Sequence, residues 1–78
     1  MIIKTQDNPR LVPGMFIFEN SGGITMGGTL EEKTVHILAG NGSHPLGIYG
    51  SKERIAQIQE QIAESFTHNE KMYQMPAE

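Results

Sequence analysis

Three histidines, His36, His44 and His68, are the residues in this 78-residue chain best suited to metal binding or acid/base work. A structural zinc site normally takes four nitrogen or sulfur ligands, and the chain has no cysteine to supply thiolates. The histidines have no metal-ligand spacing, so they read as edge-strand and surface residues. Ser43 and His44 are neighbours, but a nucleophile and its base must meet side chain to side chain with a third group orienting the base. Glu31 and Glu32 offer two carboxylates, yet adjacent residues in a strand point to opposite faces, which makes them a solvated pair ahead of Lys33. No catalytic, metal or cofactor residues are assigned, and the chain reads as a non-enzyme.

The glycine-rich segment Gly22-Gly23-Ile24-Thr25-Met26-Gly27-Gly28 is the remaining candidate for chemistry, because bare backbone N–H groups can cradle an anion. A phosphate loop ends in Gly-Lys-Ser/Thr, and a dinucleotide fingerprint runs straight into a helix. Here Thr29-Leu30-Glu31-Glu32 follows, with no helix signal and with added negative charge. A bulged or flexible connection is the favoured reading. A ligand loop built on Gly22, Gly23, Gly27 and Gly28, serving a nucleotide or another small ligand in a sponge-like protein, is the alternative.

Six basic against nine acidic residues give a formal charge of −3. Nucleic-acid binding draws on clustered Lys and Arg that displace counterions from phosphates, and Lys4, Arg10 and Lys33 are scattered. Direct nucleic-acid binding is therefore disfavoured, and the charge density is too low for nucleic-acid mimicry. The opening Met1-Ile2-Ile3-Lys4 has too short an apolar run for a signal-peptide core or a transmembrane span. Without disulfides, a single domain of this size depends on one thin core or on self-association, and the expected setting is the reducing cytoplasm.

The elements that must position these residues can be read in order. Ile2–Thr5 reads as a first strand, stopped by Asp7-Asn8-Pro9. Leu11-Val12 reads as a brief second one. Met15-Phe16-Ile17-Phe18 is apolar at every position, the pattern of a central strand buried on both faces. Asn20–Gly23 is a turn, Ile24–Met26 a strand interrupted by Gly27-Gly28, and Thr34–Ala39 another strand. Asn41-Gly42 signals a hairpin whose second arm is Leu46–Tyr49. Ser51 caps a helix over about residues 51–66, with Glu53 in its first turn and Ile55, Ile58, Ile62 and Phe66 along one side. Thr67-His68-Asn69 ends it, and Lys71–Met75 returns as a short strand beside the first. The fold class is α+β: a small, mainly antiparallel sheet of five to six strands with one amphipathic helix on it.

One helix covers one sheet face, and the apolar strand residues exceed what that face buries. The surplus, Met15, Phe16, Ile17, Phe18, Leu38, Tyr49, Tyr73 and Met75, implies that the other face either closes into a small barrel or meets another chain; the second reading gives an interface through Phe16, Phe18, Leu38, Tyr49 and Tyr73 and a homo-oligomer.

The opening Met1–Asp7, the Leu46-Gly47-Ile48-Tyr49 strand, the helix entry Ser51-Lys52-Glu53-Arg54 and the closing Tyr73-Gln74-Met75-Pro76 together resemble a group of short uncharacterised proteins of Gram-positive bacteria and of their phages and mobile elements. The match covers about half the chain and lies in the order of the segments. Gly22–Gly28 and Asn41-Gly42 depart from it. The resemblance implies a bacterial host cell and an accessory protein of the kind that binds and inhibits host or defence components. It carries over no functional residue.

Overall fold

The computed structural model describes residues 1–29, 36–40 and 44–78. Among the described residues, six strands and one long helix follow in the order β1 (Ile2–Lys4), β2 (Met15–Ile17), β3 (Ile24–Thr29), β4 (His36–Gly40), β5 (His44–Tyr49), α1 (Lys52–Thr67) and β6 (Met72–Gln74), with a 3-10 turn over Ser21–Gly23 before β3. The strands form two three-stranded sheets, ordered β2-β1-β6 and β3-β4-β5. All pairings are antiparallel except β1 with β6. The fold is thus α+β, but the five to six strands expected in one sheet divide between two.

Gln6 explains both the division and the join. β1 pairs with β6 over only three residues. Two residues further on, Gln6 turns its N–H to Leu46 O of β5 at 2.8 Å. Its side-chain amide then copies a strand backbone: Oε1 accepts from Ile48 N at 2.8 Å while Nε2 donates to Ile48 O at 3.2 Å. Nε2 also donates to Ala77 O at 2.7 Å, which binds the C-terminal tail to the same point. One N–H and two carbonyls around the amide allow only this orientation. The side chain is buried and supplies what a further stretch of main-chain ladder would supply.

The helix begins and ends where local chemistry directs. Ser51 Oγ accepts from Arg54 N at 3.1 Å, and Glu53 lies in the first turn against the positive end of the dipole. At the other end Asn69 adopts φ 55°, Glu70 N donates to Ser65 O and Asn69 N to Phe66 O, the paired bonds of a Schellman cap. Between them Ile55, Ile58 and Ile62 are buried and Phe66 is half-buried, as the spacing predicts. They meet Ile3, Phe18, Ile24, Leu38, Leu46, Tyr49 and Met75 in one core that spans both sheets. Gly47 permits this packing, because a Cβ there would stand 2.7 Å from the Tyr49 hydroxyl.

Several elements differ from the sequence reading. The Met15–Phe18 run is an edge strand covered on one face, not a central strand: Met15 is 62 % and Ile17 80 % exposed, while Phe18 is buried. Apolarity at every position does not specify double burial when a free sheet face lies alongside. Leu11-Val12 forms no strand; Leu11 N bonds to Asn8 O in a turn that buries Leu11 and leaves Val12 exposed. β5 begins at His44, earlier than expected, and accommodates Pro45 at a register shift opposite Leu38 and Ala39. β6 does lie beside β1, in parallel register. The start of the Thr34–Ala39 strand and the Asn41-Gly42 turn lie outside the described residues, though β4 and β5 pair antiparallel across them.

Candidate protein-binding face

Strand alternation gives the β2-β1-β6 sheet two unlike faces. The register aligns Phe16, Ile3 and Tyr73 in one row on the inner face, where Ile3 is buried in the core and Phe16 and Tyr73 pack partly against it. The outer face carries two rows, Ile17-Ile2-Met72 and Met15-Lys4-Gln74. Met72 is 51 % exposed, so Met15, Ile17 and Met72 present large apolar side chains to solvent on contiguous strands with Ile2 half-buried between them. Cross-strand neighbours on one face stand about 5 Å apart, which makes this one patch and not scattered residues.

β2 adds an open edge. Thr5 N bonds to Gly14 O and Phe18 N to Met1 O, which assigns the inward-facing backbone groups to alternate residues. The N–H and C=O of Met15 and Ile17 therefore turn away from β1. The edge is short, a feature that limits unplanned pairing, but no charge or proline interrupts it.

Shallow clefts flank the patch at both ends of the strands. One, about 400 Å³, is lined by Met1, Ile2 and Ile17 together with Glu19, Glu70 and Lys71. The other, about 630 Å³, is lined by Lys4, Met15 and Gln74 together with Asp7 and Asn8.

The residues singled out by sequence lie elsewhere. Phe18, Leu38 and Tyr49 are buried in the core, and Phe16 and Tyr73 are half-buried against it, so these five side chains join helix to sheets. Tyr49 Oη donates to Pro76 O and Tyr73 Oη to Gln61 Oε1, both at 2.8 Å. Burial raises the pKa of both phenols; for Tyr49 the neighbouring Tyr73 raises it further and Arg54 partly opposes this. The exposed apolar surface belongs to Met15 and Ile17, which sequence placed in the same surplus, and to Met72, Val12 and Met26, which it did not. Period-two alternation against the buried Phe18 was the available signal for the first two.

The glycine segment divides between two elements. Gly22 and Gly23 lie in the 3-10 turn, where Asn20 Oδ1 accepts from Gly22 N at 2.8 Å. Gly27 and Gly28 lie within β3 at the register shift between Met26 and Thr29, the bulge that their composition allows. The histidines also stand apart. The His44 ring lies against Phe16 with centroids 4.5 Å apart and planes tilted by 45°, and His68 is exposed at the helix C-cap. Among the described residues no cluster of three His, Asp or Glu side chains could hold a metal ion, and no helix is long and apolar enough to cross a membrane. Ser43, Glu31 and Glu32 lie outside the described residues.

No known protein family matches the chain, and no curated protein or solved structure shows significant similarity to it.

Proposed function

We propose that this chain is a non-enzymatic binding protein that acts through a protein–protein interface on the outer face of the β2-β1-β6 sheet. The observation that carries the reading is the exposure of Met15, Ile17 and Met72 on one sheet face whose opposite side packs on the core. Their exposed fractions, with the remainder from Ile2, leave an apolar patch on the order of 400 Å², a size that in monomers often marks a functional surface. Lys4 and Gln74 border it, as a polar rim borders an interface core. The resemblance of the chain's ends to short proteins of bacterial phages and mobile elements makes a host or defence component the partner class of interest, with binding as the means of modulation.

The test compares the wild-type chain with Ile17→Glu as affinity baits in a bacterial lysate. Ile17 makes little use of the core, so the variant should keep its circular dichroism spectrum. Wild-type bait should retain a defined protein that the variant loses. Equal recovery by both baits, or none by either, contradicts the reading.

A further inference from the structure

We infer, resting on the protein-binding reading of the same face, that Met15 and Met72 make the outer face of the β2-β1-β6 sheet a reversible oxidation site. Peroxide converts both thioethers to sulfoxides and ends apolar binding there while the fold stands; methionine sulfoxide reductase restores it.

The placement of the five methionines carries the inference. Met15 and Met72 stand on β2 and β6, the two outer strands of the sheet, and with Ile17 they are the exposed large apolar side chains of its outer face. Two of those three are therefore thioethers. Met75 is the methionine of the buried core, at 1 % exposure, and Met1 is half-buried against that core. Met26, 47 % exposed, lies on β3 of the other sheet. Sulfur oxidation follows access to solvent, so it reaches the face and Met26 while the core methionine is shielded. The side chains that make the face apolar are thus oxidisable and the one that holds the core is protected.

In the forward step the thioether sulfur attacks one oxygen of hydrogen peroxide with its lone pair. The S–O bond forms as the O–O bond breaks, sulfur loses two electrons, and the second oxygen leaves as water. In the reverse step the reductase removes the sulfoxide oxygen as water while two thiols become a disulfide. The sulfoxide puts a strong hydrogen-bond acceptor where an apolar group stood, and an acceptor taken from water without a donor costs free energy. Across from Met72 the register sets Ile2, which offers no side-chain donor; across from Met15 it sets Lys4, whose ammonium holds a sulfoxide at the polar rim. Withdrawing two half-exposed methionines from an apolar contact weakens it on the order of tenfold or more. Methionine-rich surfaces bind through this soft apolar area, which is why their oxidation acts on binding.

The experiment treats the full chain with dilute hydrogen peroxide and follows each methionine by peptide mass spectrometry. Met15 and Met72 should gain oxygen at least about tenfold faster than Met75, with the circular dichroism spectrum kept. The oxidised chain should leave a phenyl column earlier, and sulfoxide reductases acting on both epimers should restore its retention. Met15→Leu with Met72→Leu keeps the face apolar without sulfur, so that variant should hold its retention through peroxide, whereas Met26→Leu should respond as wild type does. As bait in bacterial lysate, oxidised wild type freed of peroxide should lose the Ile17-dependent protein and the peroxide-treated double variant should keep it. Met75 oxidised as fast as Met15 and Met72, unfolding in step with oxidation, unchanged retention, or a double variant as sensitive as wild type overturns the inference. If oxidised and untreated wild type retain the Ile17-dependent protein equally, oxidative control fails and the protein-binding reading stands; if untreated wild type retains none, both fail.

Discussion

Replacing Gln6 should destabilise this domain strongly, and the bonding around it gives the size of the effect. In Gln6→Ala the N–H and C=O of Ile48 and the C=O of Ala77 lose the amide that satisfies them. Each lost bond is worth about 1 kcal/mol net, and a donor left buried costs about 1–3 kcal/mol, so the expected loss is about 3 kcal/mol. A domain of this length has roughly 4–12 kcal/mol to lose, and about 3 kcal/mol lowers the midpoint of thermal unfolding by roughly 12–24 °C. Urea unfolding followed by far-ultraviolet circular dichroism measures it, since the chain has no tryptophan. Gln6→Glu separates hydrogen bonding from packing. Its carboxylate would face two carbonyls with no donor of its own, so its folded pKa must rise above the unfolded value of about 4.3. The variant is therefore most stable below that unfolded value and loses stability as pH rises through the folded one, against the usual behaviour of a paired carboxylate. A Gln6→Ala loss under 0.5 kcal/mol, or a Gln6→Glu variant whose stability ignores pH between 3 and 7, would refute the role given to this side chain.

Two further outcomes follow from local geometry. Asn69 holds the left-handed position of the helix C-cap at φ 55°, so Asn69→Gly should raise stability by a few tenths of a kcal/mol, whereas Asn69→Val should lower it by about 1–2 kcal/mol; urea midpoints give both values. The buried phenols of Tyr49 and Tyr73 have raised pKa values. Their contribution is complete below the unfolded tyrosine pKa of about 10 and is lost as pH climbs past it toward the folded values, so thermal midpoints should fall above pH 10 and Tyr49→Phe should flatten that fall while losing about 1 kcal/mol at neutral pH with the bond to Pro76.

The helix was the most legible element because its signals are local. Ser51, Glu53 and the isoleucine spacing lie within a few residues of what they cap or cover, and each performs as expected. β6 beside β1 was legible from its length and apolar content. The division into two sheets was not, because it depends on Gln6 reaching residues forty positions away, and nothing local separates a glutamine that bridges strands from one on the surface. The apolar surplus was legible in kind but not in place. The aromatic residues that seemed surplus fill the core, while the exposed patch consists of Met15 and Ile17 on the alternate positions of the same run and Met72 on a strand read mainly as closure. Composition counts apolar residues; only pairing decides which of them the helix covers.

The most direct measurement of the central claim is site-specific photo-cross-linking in bacterial cells. A photoreactive residue at position 17, on the outer sheet face, is compared with one at position 56, on the exposed side of the helix. The account predicts a discrete cross-linked protein product, a second copy or a host protein, from position 17 and none from position 56. Discrete products from position 56 alone, or no product from position 17, would contradict it.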